Sequence, residues 1–240
     1  MTSSTAQESD LLISSGYRQV LGELFHRLSQ PLTGLRCSLA LSRKASQSHR
    51  LHGSDARIAL QQVEDITWLT ACIREMIEVG DPAQGTPALL DDCLTEVVEE
   101  FLPVADSNDM KLRLVPGSRS PVNLDERRVK QAVFHLLDFA LTASSKGTQI
   151  TLKLEEKTGN SVLTMRIAPA RGVWLAANPS RKDNALQCRV RLAIARRILE
   201  SAGGAFHAHT DQSCLVISFR IPFASEEPAL PLSRPLRRPA

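Results

Sequence analysis

Of the side chains able to do chemistry, His26 has the most suggestive surroundings. It lies in Phe25-His26-Arg27-Leu28-Ser29-Gln30-Pro31-Leu32-Thr33-Gly34-Leu35, five residues before a proline. A neutral imidazole presents a nucleophilic ring nitrogen, and an ordinary histidine titrates near pH 6.5. Other candidates form weaker constellations. His207 and His209 alternate on one predicted strand face, a spacing that could ligate a metal, but no third ligand accompanies them. The five cysteines (Cys37, Cys72, Cys93, Cys188 and Cys214) are scattered and lack CxxC spacing. That suits buried thiols in a reducing compartment better than disulfides or zinc. Trp68 and Trp174 read as packing or loop anchors. No Walker A loop, dinucleotide fingerprint or Ser/His/Asp motif is present.

The element that must carry His26 is a helix. Tyr17, Leu21, Leu24, Leu28, Leu32, Leu35 and Leu39 recur at three- and four-residue steps, predicting an amphipathic helix from about Leu11 to Ser46. Pro31 sits inside it, removing one backbone donor and crowding the Arg27 carbonyl, at roughly 3 kcal/mol. The histidine would therefore stand one turn before a loosened, accessible segment. The polar stretch from Ser46 to Ser54 breaks the period, with Ser54 or Asp55 as the expected N-cap of a second helix. That helix reaches about Val79 on a stripe of Ile58, Ile66, Leu69, Ile73, Met76 and Ile77, and Gly80-Asp81-Pro82 ends it. One hairpin cannot bury two such stripes, whereas two copies can, as a four-helix bundle. A homodimer through residues 11–80 is expected; the alternative is that the hairpin packs on the rest of its own chain.

Beyond Pro87 the pattern becomes mixed. Helices are predicted over 89–105, 126–145 (capped by Asp125) and 185–201 (stopped by Gly203-Gly204). Strands are predicted over 111–115, 121–124, 148–155, 161–168, 205–209 and 214–221, with a turn at Gly159-Asn160 and a Pro-, Gly- and Asn-rich loop over 169–184. The expected organisation is a loose tail (1–10), a helical hairpin (11–80), a linker (81–87), an α+β domain (88–223) and a Pro/Arg tail (224–240).

The His-x-x-x-x-Pro-Leu arrangement resembles the phosphoacceptor box of two-component histidine kinases and histidine phosphotransferases. Two further stretches extend the resemblance over residues 87–223. Asp125 to Ala140 is similar to the family helix D-x-x-R-x-x-Q-x-x-x-N-L-L-x-N-A, and Leu192 to Gly204 to its last helix and Gly-Gly turn. The fold implied is a helical hairpin followed by an α/β sandwich of the kinase ATPase type, an antiparallel sheet backed by helices.

The family's nucleotide contacts are missing. Its two helix asparagines align with His135 and Phe139, and phenylalanine offers no oxygen to magnesium. Its adenine-reading Asp-x-Gly-x-Gly box aligns with Ala168-Pro169-Ala170-Arg171-Gly172, and its final Gly-x-Gly with Arg189-Val190-Arg191. One lost charge-assisted hydrogen bond is about 1.5–3 kcal/mol, or one to two decades of affinity. A degenerate domain that binds no ATP is expected. In the phosphoacceptor box, Arg27 replaces the acidic residue common after the histidine, and Gln30 takes the position from which the family orients water.

The resemblance implies a two-component phosphorelay protein. His26 would be the phosphoacceptor, supported by Arg27, Gln30 and Pro31, exchanging a phosphoryl group with an aspartate of a response-regulator receiver domain. The chain would bind no cofactor, the receiver bringing Mg2+. The alternative is a non-catalytic dimeric scaffold, or pseudokinase.

Composition narrows the field. Hydrophobic residues make up 42%, enough for a real core. Net charge is +3 and aromatics are 4%, which argues against nucleic acid. The exception is residues 181–197, where Arg181, Lys182, Arg189, Arg191, Arg196 and Arg197 face Asp183 alone and could meet an acidic surface. Met1 to Asp10 is polar, and no apolar run approaches the roughly 20 residues that cross a bilayer. A cytoplasmic protein is expected.

Overall fold

The computed structural model describes residues 16–45, 53–79, 86–117, 119–168, 182–211 and 214–224. The two tails, the turn at 46–52, the linker residues 80–85 and the loop 169–181 with Trp174 lie outside the described residues.

Two long helices come first, α1 (Tyr17–Ala45) and α2 (Gly53–Glu78). The expected caps Ser54 and Asp55 instead lie within α2. The α+β domain follows as β1 (Ala88–Leu89), α3 (Leu90–Ser107), β2 (Lys111–Val115), β3 (Pro121–Val122), α4 (Glu126–Thr142), β4 (Gln149–Lys157), β5 (Asn160–Ala168), α5 (Lys182–Ser201), β6 (Ala205–Asp211) and β7 (Cys214–Pro222). The third strand is shorter than its alternation implies. It forms a small antiparallel pair with β1, and the Leu124 carbonyl accepts from the Ala88 N–H beyond it. α4 stops at Thr142 rather than Ser145. α5 starts at Lys182, three residues before the expected Ala185.

The large sheet runs β2-β4-β5-β7-β6. It is mixed rather than wholly antiparallel, because β2 pairs with β4 in parallel. A parallel pair needs a crossover, and α4 supplies it. The β4–β5 hairpin turns through Thr158 and Gly159, both at positive φ (45° and 74°). Alternation sets the layers. Ile150, Leu152 and Leu154, then Leu163, Met165 and Ile167, then Leu215, Ile217, Phe219 and Ile221 are buried, and the residues between them are more exposed.

α3, α4 and α5 bury complementary stripes, including Leu94, Val97 and Phe101, Val129, Val133 and Leu136, and Val190, Ile194 and Ile198. Asp125 caps α4, its carboxylate accepting from the Arg128 N–H at 2.9 Å. Gly203, at φ +79°, ends α5. A side chain on Gly204 would come within 2.5 Å of the Leu199 carbonyl, which explains the double glycine.

The hairpin is not separate from this core. Val20, Leu24, Leu69, Ile73 and Met76 are buried in the same hydrophobic cluster as the α5 residues. At this end the hairpin packs on its own chain. Farther along, Leu32, Leu39, Ile58, Leu60 and Val63 are exposed.

Candidate functional site

Helix α1 runs unbroken through Pro31. Nearby hydroxyls bond to it: Thr33 Oγ1 donates to the Ser29 carbonyl at 2.8 Å, and Ser29 Oγ to the Phe25 carbonyl at 3.2 Å. His26 is exposed, as are Phe25, Ser29 and Gln30. Arg27 pairs with Glu23 at 3.4 Å. A cleft of about 290 Å³ opens beside this turn. Arg27, Gln30 and Pro31 form its α1 wall, Asp65 and Trp68 its α2 wall, and Leu186 and Gln187 of α5 close it. All four residues singled out on α1 are thus brought to one place, three of them lining a cleft shared with the C-terminal domain.

At the expected nucleotide positions a second cluster appears. His135 is buried, only 2% exposed. Its Nε2 lies 2.6 Å from Glu75 Oε1 of α2, and the same oxygen accepts from Gln131 Nε2 at 2.9 Å. Arg191 Nη1 sits 3.4 Å from His135 Nδ1. A guanidinium can only donate, so Nδ1 accepts and Nε2 carries the hydrogen shared with Glu75. Arg191 also pairs with Asp138 at 2.7 Å. The His135 hydrogen bond, aided by Gln131 and by the charge of Arg191, holds the Glu75 carboxyl below its usual range despite partial burial. Phe139 is buried in the core. Arg189 forms an ion pair with Glu23 of α1. The Asp-x-Gly-x-Gly position beyond Ala168 lies outside the described residues.

These contacts change the reading of the basic segment. Arg189 and Arg191 are engaged with carboxylates, and Arg196 pairs with Glu200 at 2.7 Å while lying over the Phe206 ring. Arg197 lies over the Tyr17 ring. Four of the six basic residues therefore have internal partners, which leaves less unpaired positive charge there than the sequence suggests. His207 and His209 are exposed on β6. Sequence reasoning missed Glu23, Glu75 and Asp138. Nothing distinguishes them locally from other carboxylates on helix surfaces.

A helical hairpin bearing an exposed histidine before a proline, docked on a five-stranded mixed sheet with three helices, is the fold of two-component histidine kinases. Acinetobacter baumannii histidine kinase AdeS superposes with a TM-score of 0.57 at 19% identity, covering 83% of this chain and 98% of that one. Histidine kinase ThkA in complex with response regulator protein TrrA gives 0.58 at 14%, covering 92% and 65%. The curated relatives are sensor kinases. The adaptive-response sensory kinase SasA of Parasynechococcus marenigrum (strain WH8102) is 27% identical over 221 residues, 82% of this chain and 55% of the relative. The alginate biosynthesis sensor protein KinB of Pseudomonas aeruginosa is 26% identical over 145 residues, 58% and 24%. The chain thus spans about half the length, or less, of these relatives. No protein-family model matches it. The chain is thus similar in fold and in sequence to two-component histidine kinases, and among the described residues no helix is long and apolar enough to cross a membrane.

Proposed function

We propose that this chain is a histidine phosphotransferase, or a histidine kinase deficient in ATP binding, that relays a phosphoryl group between His26 and a receiver-domain aspartate. The observation carrying the proposal is His26 itself, exposed on α1 beside a cleft formed by Arg27, Gln30 and Pro31. A ring nitrogen attacks the phosphorus of the receiver's aspartyl phosphate. The N–P bond forms as the P–O bond to the aspartate breaks, and the carboxylate leaves. Such transfer depends on positioning and charge stabilisation rather than on covalent chemistry elsewhere in the protein. Arg27 places positive charge one residue from the nucleophile, attractive to an incoming phosphoryl group. Gln30, in the cleft wall, can orient a water for hydrolysis of the receiver's aspartyl phosphate, which releases inorganic phosphate. Magnesium belongs to the receiver in this scheme.

Nucleotide does not fit the residues present. Phe139 has no oxygen for a magnesium ion, both ring nitrogens of His135 are engaged, and Arg189 and Arg191 stand where glycines would let backbone approach phosphate. A receiver partner accords with the ThkA complex, in which a kinase of this fold holds a response regulator. A homodimer accords with the exposed Leu32, Leu39, Ile58, Leu60 and Val63 of the hairpin. Each is already about half covered, so burying the remainder would contribute about 1 kcal/mol per side chain.

Incubation with a 32P-phosphorylated receiver tests the relay. Label is expected on the wild type and absent from His26→Ala, with none acquired from labelled ATP and Mg2+ alone. Equal label on both proteins, or on neither, rejects the relay. The scaffold reading then stands, supported by the self-contained polar cluster at the nucleotide positions.

A further inference from the structure

Three side chains that occupy nucleotide-contact positions share a feature that erosion alone does not produce. Together they tie the domain to the helical hairpin: His135 and Arg189 contact it directly, and Arg191 braces His135. Arg189 pairs with Glu23 of α1, at 18% and 25% side-chain exposure. His135 bonds to Glu75 of α2 at 2.6 Å, at 2% and 30%. Arg191 sits on the far nitrogen of the same imidazole and is held in turn by Asp138. Gln131 adds a second donor to Glu75, and the Arg128 guanidinium donates to the Glu78 carbonyl at 3.1 Å.

We infer that the residues at the expected nucleotide positions form an interdomain latch, in which Arg189 holds the Glu23 carboxylate and His135, braced by Arg191, holds that of Glu75, fixing the hairpin on the C-terminal domain without any bound ligand. The contacts are suited to this. They are only partly solvent-exposed, and removing one partner from such a pair leaves the other's charge uncompensated, which costs more than breaking an exposed surface pair. Gln131, His135 and Arg191 each have a partner within the cluster. Beneath the latch, Leu24 and Met76 seal the joint with apolar surface. Glu23 lies one helical turn before His26 and also pairs with Arg27. The latch therefore sets α5, with Leu186 and Gln187, as a standing wall of the cleft beside His26.

Spin labels test this whether or not His26 carries phosphate. One label goes on native Cys37, which is exposed on α1. The other goes on exposed Glu99 of α3 as Glu99→Cys. Labelled protein is diluted into unlabelled Cys37→Ala chain, so that only distances within one chain are read, and far-UV circular dichroism checks helix content. Without nucleotide the distance distribution should be a single narrow peak, unchanged by ATP and Mg2+. It should lose that peak and broaden in Glu23→Ala/Glu75→Ala. Glu23→Gln/Glu75→Gln keeps the shape and a carbonyl acceptor at each site and should fall between the two. A broad distribution in the wild type, or a peak that survives loss of both carboxylates, overturns the latch. Should the alanine pair lose helix content, an undisturbed peak in the glutamine pair overturns it as well.

Discussion

His26 and His135 show how surroundings assign opposite roles to one side chain. His26 is exposed on a helix face, open to a docking protein. His135 is closed in, with a carboxylate on one nitrogen and a guanidinium on the other. The cysteines divide in the same way. Cys37 is exposed and the other four are buried. Burial pushes the Cys72 and Cys93 thiols up to about 11 and the Cys188 thiol to about 12. Only thiolate attacks disulfide reagents, so at pH 8 an aromatic disulfide should react rapidly with one thiol per native chain, and with all five in guanidinium. Fast reaction of two or more native thiols would contradict the burial described.

The helices follow their local signals closely, and α4 is the clearest case. Asp125 stands before its first turn with extended backbone and accepts from Arg128 N–H. Asp125→Ala should lower the stability of the chain by about 1 kcal/mol in chemical denaturation, whereas Asp125→Asn should cost much less. Equal losses in the two variants would show that the carboxylate's charge, and not the cap, is what matters. Short elements were far less legible. β1 spans two residues, too few for any alternation to be read, and exists because β3 lies beside it. The parallel β2–β4 pairing was also invisible, because alternation marks which face of a strand is buried and not its direction.

For the whole molecule, the hairpin divides its apolar surface between two tasks. The end bearing Val20, Leu24 and Met76 is spent on the C-terminal domain. The remainder, with Leu32, Leu39, Ile58, Leu60 and Val63, faces solvent in one chain. Sedimentation of the whole chain should give a dimer, and Leu32→Glu/Leu60→Glu should give a folded monomer of unchanged helix content. A wild-type monomer at tens of micromolar would remove the four-helix bundle.

What could be read from the sequence was whatever depends on neighbours within one or two turns. The 3.6-residue and two-residue periods placed the hairpin, the three domain helices and the long strands, and the spacing of His26 and Pro31 marked the candidate phosphoacceptor. The departures from the resembled family's asparagines and glycines were equally plain, because residue identity is a local fact. What took their place was not. Glu23 and Glu75 look like ordinary surface carboxylates until folding brings them to residues more than fifty positions away. Charge and hydrogen-bond partners act through space at a few ångströms, and no period along the chain encodes which distant side chain will arrive there.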